Sequence, residues 1–148
     1  MATNPLVAQG TLNRIRCHVV VPSFTELNIT SSYMTKNFAT ISFDDNFTDQ
    51  IPTATGVVNS PAPYTMASLS VGLIRTQSLA QSWLAQSQAT SILGEVVIHS
   101  DTAAWPAITI SQASILHIQP GPFDGMDPTV QLSIRGVYYL NNDLWNAL

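Results

Sequence analysis

His99-Ser100-Asp101, with His117 further along, is the densest grouping of side chains able to do chemistry. A His-x-Asp on a strand, joined by a distant second His, is the donor set of a non-haem iron facial triad, which leaves positions open for oxygen and a cosubstrate. Here the second His follows too closely to return across a double-stranded β-helix, and 148 residues is short for such a barrel with its lid. Two solvent-facing strand histidines and an aspartate opening a turn is the better reading of so short a motif. Residues 121–128 set Asp124 and Asp127 around Gly125. Calcium needs six to eight oxygen ligands, and a Pro/Gly/Asp turn explains this stretch more simply. No Gly-x-Ser-x-Gly nucleophile elbow occurs. Cys17 falls on the apolar side of a strand, where thiols are usually inert. Lys36, the sole lysine, has no glycine-rich phosphate loop beside it. Asp44, Asp45 and Asp49 crowd one turn. Paired acids can hydrolyse glycosides, but acids at a hairpin tip are ordinarily just solvated. The sequence thus leads to no catalytic residue, no metal and no cofactor.

The elements that would position these residues are mostly strands. Residues 11–21 alternate, with Ile15, Cys17, Val19 and Val21 on one face and Leu12, Arg14, Arg16 and His18 on the other. Pro22 ends that run, since it cannot donate to a ladder. Residues 39–43 turn Ala39, Ile41 and Phe43 inward. A Thr- and Val-rich run over 53–58 leads through Ser60-Pro61-Ala62-Pro63, a rigid reversal, into 64–74, where Ala67, Leu69, Val71 and Leu73 alternate. Residues 95–99, 108–118 and 129–140 are three further strands. One segment departs from period two. Thr76–Ser91 places Leu79, Ala80, Trp83 and Leu84 on one stripe, the pattern of an amphipathic helix, with Thr76 as N-cap and Gly94 as stop. The expected fold class is mainly β: a β-sandwich or partial barrel of about seven strands with one flanking amphipathic α-helix. No linker divides the chain, so residues 1–148 read as a single domain, with an N-terminal arm of about 1–10 and a C-terminal segment of about 141–148.

Composition narrows the function. The chain is 45% apolar, yet only 9% of it is charged, against about 25% in a typical soluble domain. Ser, Thr, Asn and Gln supply 48 residues. Five basic against nine acidic residues leave a net charge of −4 and no basic run to grip phosphates. No stretch approaches the roughly 18–20 apolar residues of a membrane helix. The N-terminus has neither a basic start nor an apolar core of a signal peptide, and sequons at Asn28 and Asn46 carry no weight without one. A surface with so little charge repels its own copies weakly, which suits a life inside an assembly.

Four stretches, read in order, resemble a family: NPLVAQGTLNRIRCHVVVPSFTELNIT, IPTATGVVNSPAPYTMASLSVGLIRTQSLAQSWL, LGEVVIHSDT and GVYYLNNDLW. They are similar to tail tube proteins of contractile-tailed bacteriophages, which have the Hcp-like tube fold. The resemblance implies homo-hexameric rings stacked into the inner tube of a contractile tail, the conduit for genome ejection. It implies as partners further copies of the chain, the tail sheath, baseplate and tail terminator proteins, and transient, non-specific passage of DNA. It implies a virion location after assembly in the host cytoplasm. A baseplate or secretion-system ring protein of the same fold is the alternative, followed by a small ligand-binding β-sandwich module and, last, an enzyme. On this reading Asp44, Asp45 and Asp49 are candidate lumen-facing or ring-contact acids. Ile51, Pro52, Val57, Val58, Pro61 and Pro63 form a candidate ring-stacking hairpin, and Leu79, Trp83 and Leu84 pack the helix.

Overall fold

The computed structural model describes residues 9–11, 17–102, 104–121, 123 and 125–145. The arm over 1–8, the strand residues expected over 12–16, and the last three residues lie outside that set.

Alternation builds most strands where the sequence pattern puts them, while residues 48–52, read as part of an acidic turn, form a strand as well. Six form one antiparallel sheet: β1 (His18–Val20), β2 (Met34–Phe43), β5 (Tyr64–Ile74), β6 (Ile92–His99), β7 (Ile108–Gln119) and β8 (Thr129–Tyr139), in the order β1-β6-β7-β8-β5-β2. Between β2 and β5 the chain makes a separate ribbon, β3 (Thr48–Pro52) with β4 (Val57–Pro61). The six-stranded sheet curls into a half-barrel. Residues at positive φ coincide with two of its register shifts: Phe38 (50°) between Met34 and Ala39 of β2, and Gln112 (52°) between Ser111 and Ser114 of β7. Bulges of this kind raise local twist and bend a strand. They curl the sheet here.

One sheet face carries the core. Ala67, Leu69, Val71 and Leu73 of β5 lie beside Val130, Leu132 and Ile134 of β8, with Ile110, Ala113 and Ile115 of β7, Leu93 and Val96 of β6, and Val19 of β1. The helix α1 (Ser78–Ala89) and the short turn Thr25–Leu27 cover this face, and Leu27, Leu79, Ala80 and Trp83 complete the cluster. β1 is guarded on its outer side, where Val19 and Ile29 exchange two backbone hydrogen bonds of 2.9 and 2.8 Å. Asn28 adds a side-chain acceptor for the Val21 amide at 2.8 Å.

Three local expectations need correction. α1 begins at Ser78 after Gln77, not after Thr76, and no side chain caps it. It ends at Ala89, with Thr90 as C-cap, and Gly94 lies inside β6 at φ 87°, between two register shifts. The glycine signal was real, but it marks a bulge rather than a helix stop. The run over 53–58 is not continuous: the Thr53 amide and hydroxyl both donate to the Gly56 carbonyl, which makes 53–56 the ribbon's turn.

Gly136 shows why β7 must shift register. It pairs with Ala67, and a Cβ there would sit 2.7 Å from the Ser111 carbonyl and 3.0 Å from the Ala113 Cα, besides striking the Ile110 side chain. Two of these obstacles are backbone and cannot swing away. Gly136→Ala should therefore destabilise by about 1–3 kcal/mol, as overpacking does. Urea denaturation of the variant checks this; an unchanged midpoint would show that β7 yields freely.

Candidate functional site: a polar sheet face and an apolar ribbon

The residues able to do chemistry are not brought together. His99 stacks on its cross-strand partner His18, ring centroids 4.6 Å apart and planes 16° from parallel. His117 stands opposite Ser133, toward the far end of β7. At about 3.3 Å per residue that is roughly 30 Å from His99. Asp101 accepts a hydrogen bond from Ser100 Oγ at 3.3 Å. No group of three His, Cys, Asp or Glu is placed to hold a metal ion among the described residues. Burial, and then the charge of Asp101, raises the Cys17 thiol above its usual range, which keeps it protonated. His18 is shifted down by burial and by His99. In the loop over 120–128 the Asp127 carboxylate accepts the Thr129 amide at 3.0 Å, and the hydrogen bonds from Thr129 hold it below the ordinary carboxylate range. That is turn chemistry; Asp124 lies outside the described residues.

The three clustered acids separate into two settings. Asp44 follows the last residue of β2 on the sheet face away from the core, 2.8 Å from Arg135 Nη2, and accepts from Ser68 Oγ. Asp45 and Asp49 stand at the foot of the ribbon, lining a shallow depression with Asn46, Ala62, Pro63 and Tyr64. The Asp45 amide donates to the buried Thr65 hydroxyl, and Asn46 Nδ2 donates to Asp49. Asp44 is thus neutralised within the chain, whereas Asp45 and Asp49 have no ion-pair partner among the described residues.

The ribbon itself is exposed along both strands, from Thr48 to Ser60, with Pro61 half-buried. Ile51 faces Val58 and Pro52 faces Val57 across it, so its outer half is an apolar tip. Its foot is strapped. Asn141, at φ 54°, donates through Nδ2 to the carbonyls of Phe47 and Ala62, one on each side of the ribbon, and Trp145 Nε1 donates to Pro61. Pro61 and Pro63 flank Ala62 at this foot rather than sitting at the tip.

Opposite the core, the middle of the sheet is a field of small polar groups. Thr40, Ser70 and Ser133 stand in one cross-strand row, and Ser42, Ser68 and Arg135 in the next. Gln131 Nε2 donates to Ser70 Oγ. This central part holds one carboxylate and one guanidinium, Asp44 and Arg135, already paired, and His117 extends the first row beyond Ser133.

The end of the sheet remote from the ribbon has its own features. Arg75 donates to the carbonyls of Pro120 and Asp127 and lies 5.2 Å from the Phe123 ring centre, clamping the loop over 120–128. Phe123 and Met126 are 83% and 93% exposed on it. Beside the loop, Met34, Thr35, Lys36, Ile74, Pro128 and Thr129 line a second depression.

On the helix, Leu79 and Trp83 are buried, but Leu84 is 47% exposed and does not pack the core. At about 100° per residue, Leu84 falls roughly 40° beyond Ala80, past the rim of the buried stripe. Sequence reasoning missed Arg135, Asn141 and Arg75, because each acts through partners far away in the chain. The only cue for the two arginines was scarcity, with five basic residues in 148, and Asn141 had none.

No family model and no curated protein matches the sequence. Solved structures do match in shape. The tube terminating cap of the anti-feeding prophage superposes with a TM-score of 0.52 at 15% identity, over 93% of this chain and 97% of that one. A chain of the sheath-tube complex of PVC, an extracellular contractile injection system in its extended state, gives 0.51 at 15% identity, over 89% and 94%. The fold is one found in contractile injection systems. The likeness is to tail-tube-related chains broadly and does not single out the Hcp type. It extends over both chains nearly end to end.

Proposed function

We propose that this chain is a structural, non-enzymatic subunit that forms six-membered rings, and that these stack into the inner tube of a contractile tail. The polar sheet face lines the conduit, and the ribbon tip with Ile51, Pro52, Val57 and Val58 meets the neighbouring ring. The observation that carries this reading is the polar face itself. A sheet packed on one side only, with small hydroxyls and a self-neutralised ion pair on the other, offers a passing polyanion neither a grip nor strong repulsion. A fold shared with tube-related chains supports it. Sheath, baseplate and terminator proteins are the partners this role requires, DNA is the transient cargo, and the location is the tail of a particle assembled in the host cytoplasm. The matched terminating cap favours a second reading, an end ring or baseplate ring of the same fold.

Negative-stain microscopy of the purified chain tests both. Long tubes support the first reading, isolated rings the second, and monomers at every concentration overturn both. Hydrogen exchange adds a local check. In free rings the amides between Ile51 and Val58 should exchange fast, since the ribbon's outer half buries nothing, and stacking should protect them. Equal exchange in rings and tubes would remove the ribbon from the contact.

A further inference from the structure

The two ends of the sheet differ in a way that fits one to the other. The β5–β8 ladder runs from Tyr64–Tyr139 to Ile74–Thr129, so the ends lie roughly 33 Å apart. Among the described residues the ribbon end is acidic without relief: Asp45, Asp49 and Asp143 fall in stretches 45–64 and 139–145, which contain no Lys or Arg. The other end holds the chain's only lysine. Lys36 is exposed, has no ion-pair partner among the described residues, and stands at the rim of the depression floored by Met34, Ile74 and Pro128. On the ribbon, Asp49 and Ile51 share a face two residues apart, and Ile51 is opposite Val58. That face therefore presents an apolar pair with a carboxylate about 7 Å behind it.

We infer that the depression around Lys36 is the seat for the ribbon of a second copy of this chain. Ile51 and Val58 settle on Met34, Ile74 and Pro128, and Asp49 pairs with Lys36 across the junction. Because donor and seat lie at opposite ends of one chain, the contact is head-to-tail and propagates instead of closing on itself. The pair sets polarity, because inverting one copy would bring acidic ends together, and like charges brought together are strongly disfavoured. This inference rests on the tube reading and adds the seat and its counter-charge to it.

The test is a charge swap scored by assembly of the full chain. Lys36→Glu and Asp49→Lys alone should each raise the concentration needed for tubes by about tenfold or more, and the double variant should restore tubes. Circular dichroism and melting of each variant establish that it folds. Independently, in a Cys17→Ser background, Lys36→Cys with Asp49→Cys should give a covalent ladder on oxidation, in a fold whose own Lys36 and Asp49 sit at opposite ends. Tubes from the parent chain with unaffected single variants, or with no ladder, overturn the seat while leaving the tube reading intact. A parent chain that never makes tubes overturns the tube reading and the seat with it.

Discussion

Trp83→Ala will destabilise the chain by about 3–5 kcal/mol, the range for removing a large buried aromatic. Trp83 is fully buried in the core cluster, on a helix that packs against β5 and the turn Thr25–Leu27. The helix has little else to hold it. No side chain caps its N-terminus, its first turn has no acid and its last turn no base. Short helices without such aids are marginal in water, so packing has to stabilise this one. A loss of that size is a large share of the 5–15 kcal/mol a domain commonly has. The Trp83 indole Nε1 has no hydrogen-bond partner among the described residues. Trp83→Phe should accordingly cost less than half as much, since it leaves a smaller void and breaks no bond. Urea titration measures both, with tryptophan fluorescence as a second readout on the parent, because Trp105 and Trp145 are exposed and Trp83 is not. A Trp83→Ala variant that melts with the parent would mean the helix is not what closes the core.

The strands and the helix were legible because burial on one side writes a period into the sequence. Val19, Leu69, Ile134 and Trp83 each fall where alternation or the helical stripe puts them. What alternation cannot register is the partner across the sheet. Nothing local ties Asp44 to Arg135 or Asn141 to Phe47, since these contacts join residues 91 and 94 positions apart. The same limit explains the acids. Asp44, Asp45 and Asp49 form one cluster along the chain, but the end of β2 falls between Phe43 and Asp44, and only Asp44 turns onto the polar sheet face. The bulges at Phe38 and Gln112 were also hidden, because nothing in either residue type announces a left-handed backbone.

Adding charge to the polar sheet face should convert a free passage into a sticky one. Thr40 and Ser133 flank Ser70 in one cross-strand row, so a Thr40→Lys/Ser133→Lys variant sets two cations about 10 Å apart on the face assigned to the conduit. Both positions point away from the core, so the fold should survive. Asp44 is the wrong place for this test, since a lysine there would lose the Arg135 pair and put two cations together. The double variant adds two charges per copy, about twelve in the proposed six-membered ring, around the proposed DNA channel. Particles built from it should eject DNA slowly at low salt and recover as salt rises, because counterions released on binding make each phosphate contact weaken steeply with ionic strength. A placebo pair on the helix's outer side, Gln81→Lys/Gln88→Lys, adds the same charge away from that face and should eject normally. Normal ejection by the sheet-face variant at low salt, from tubes that assemble as the parent does, would mean that this face looks elsewhere. Slow ejection at every salt would point to a blocked channel and likewise count against the electrostatic account. Salt-reversible retention confined to the sheet-face pair is the outcome that a conduit lined by Thr40, Ser70 and Ser133 requires.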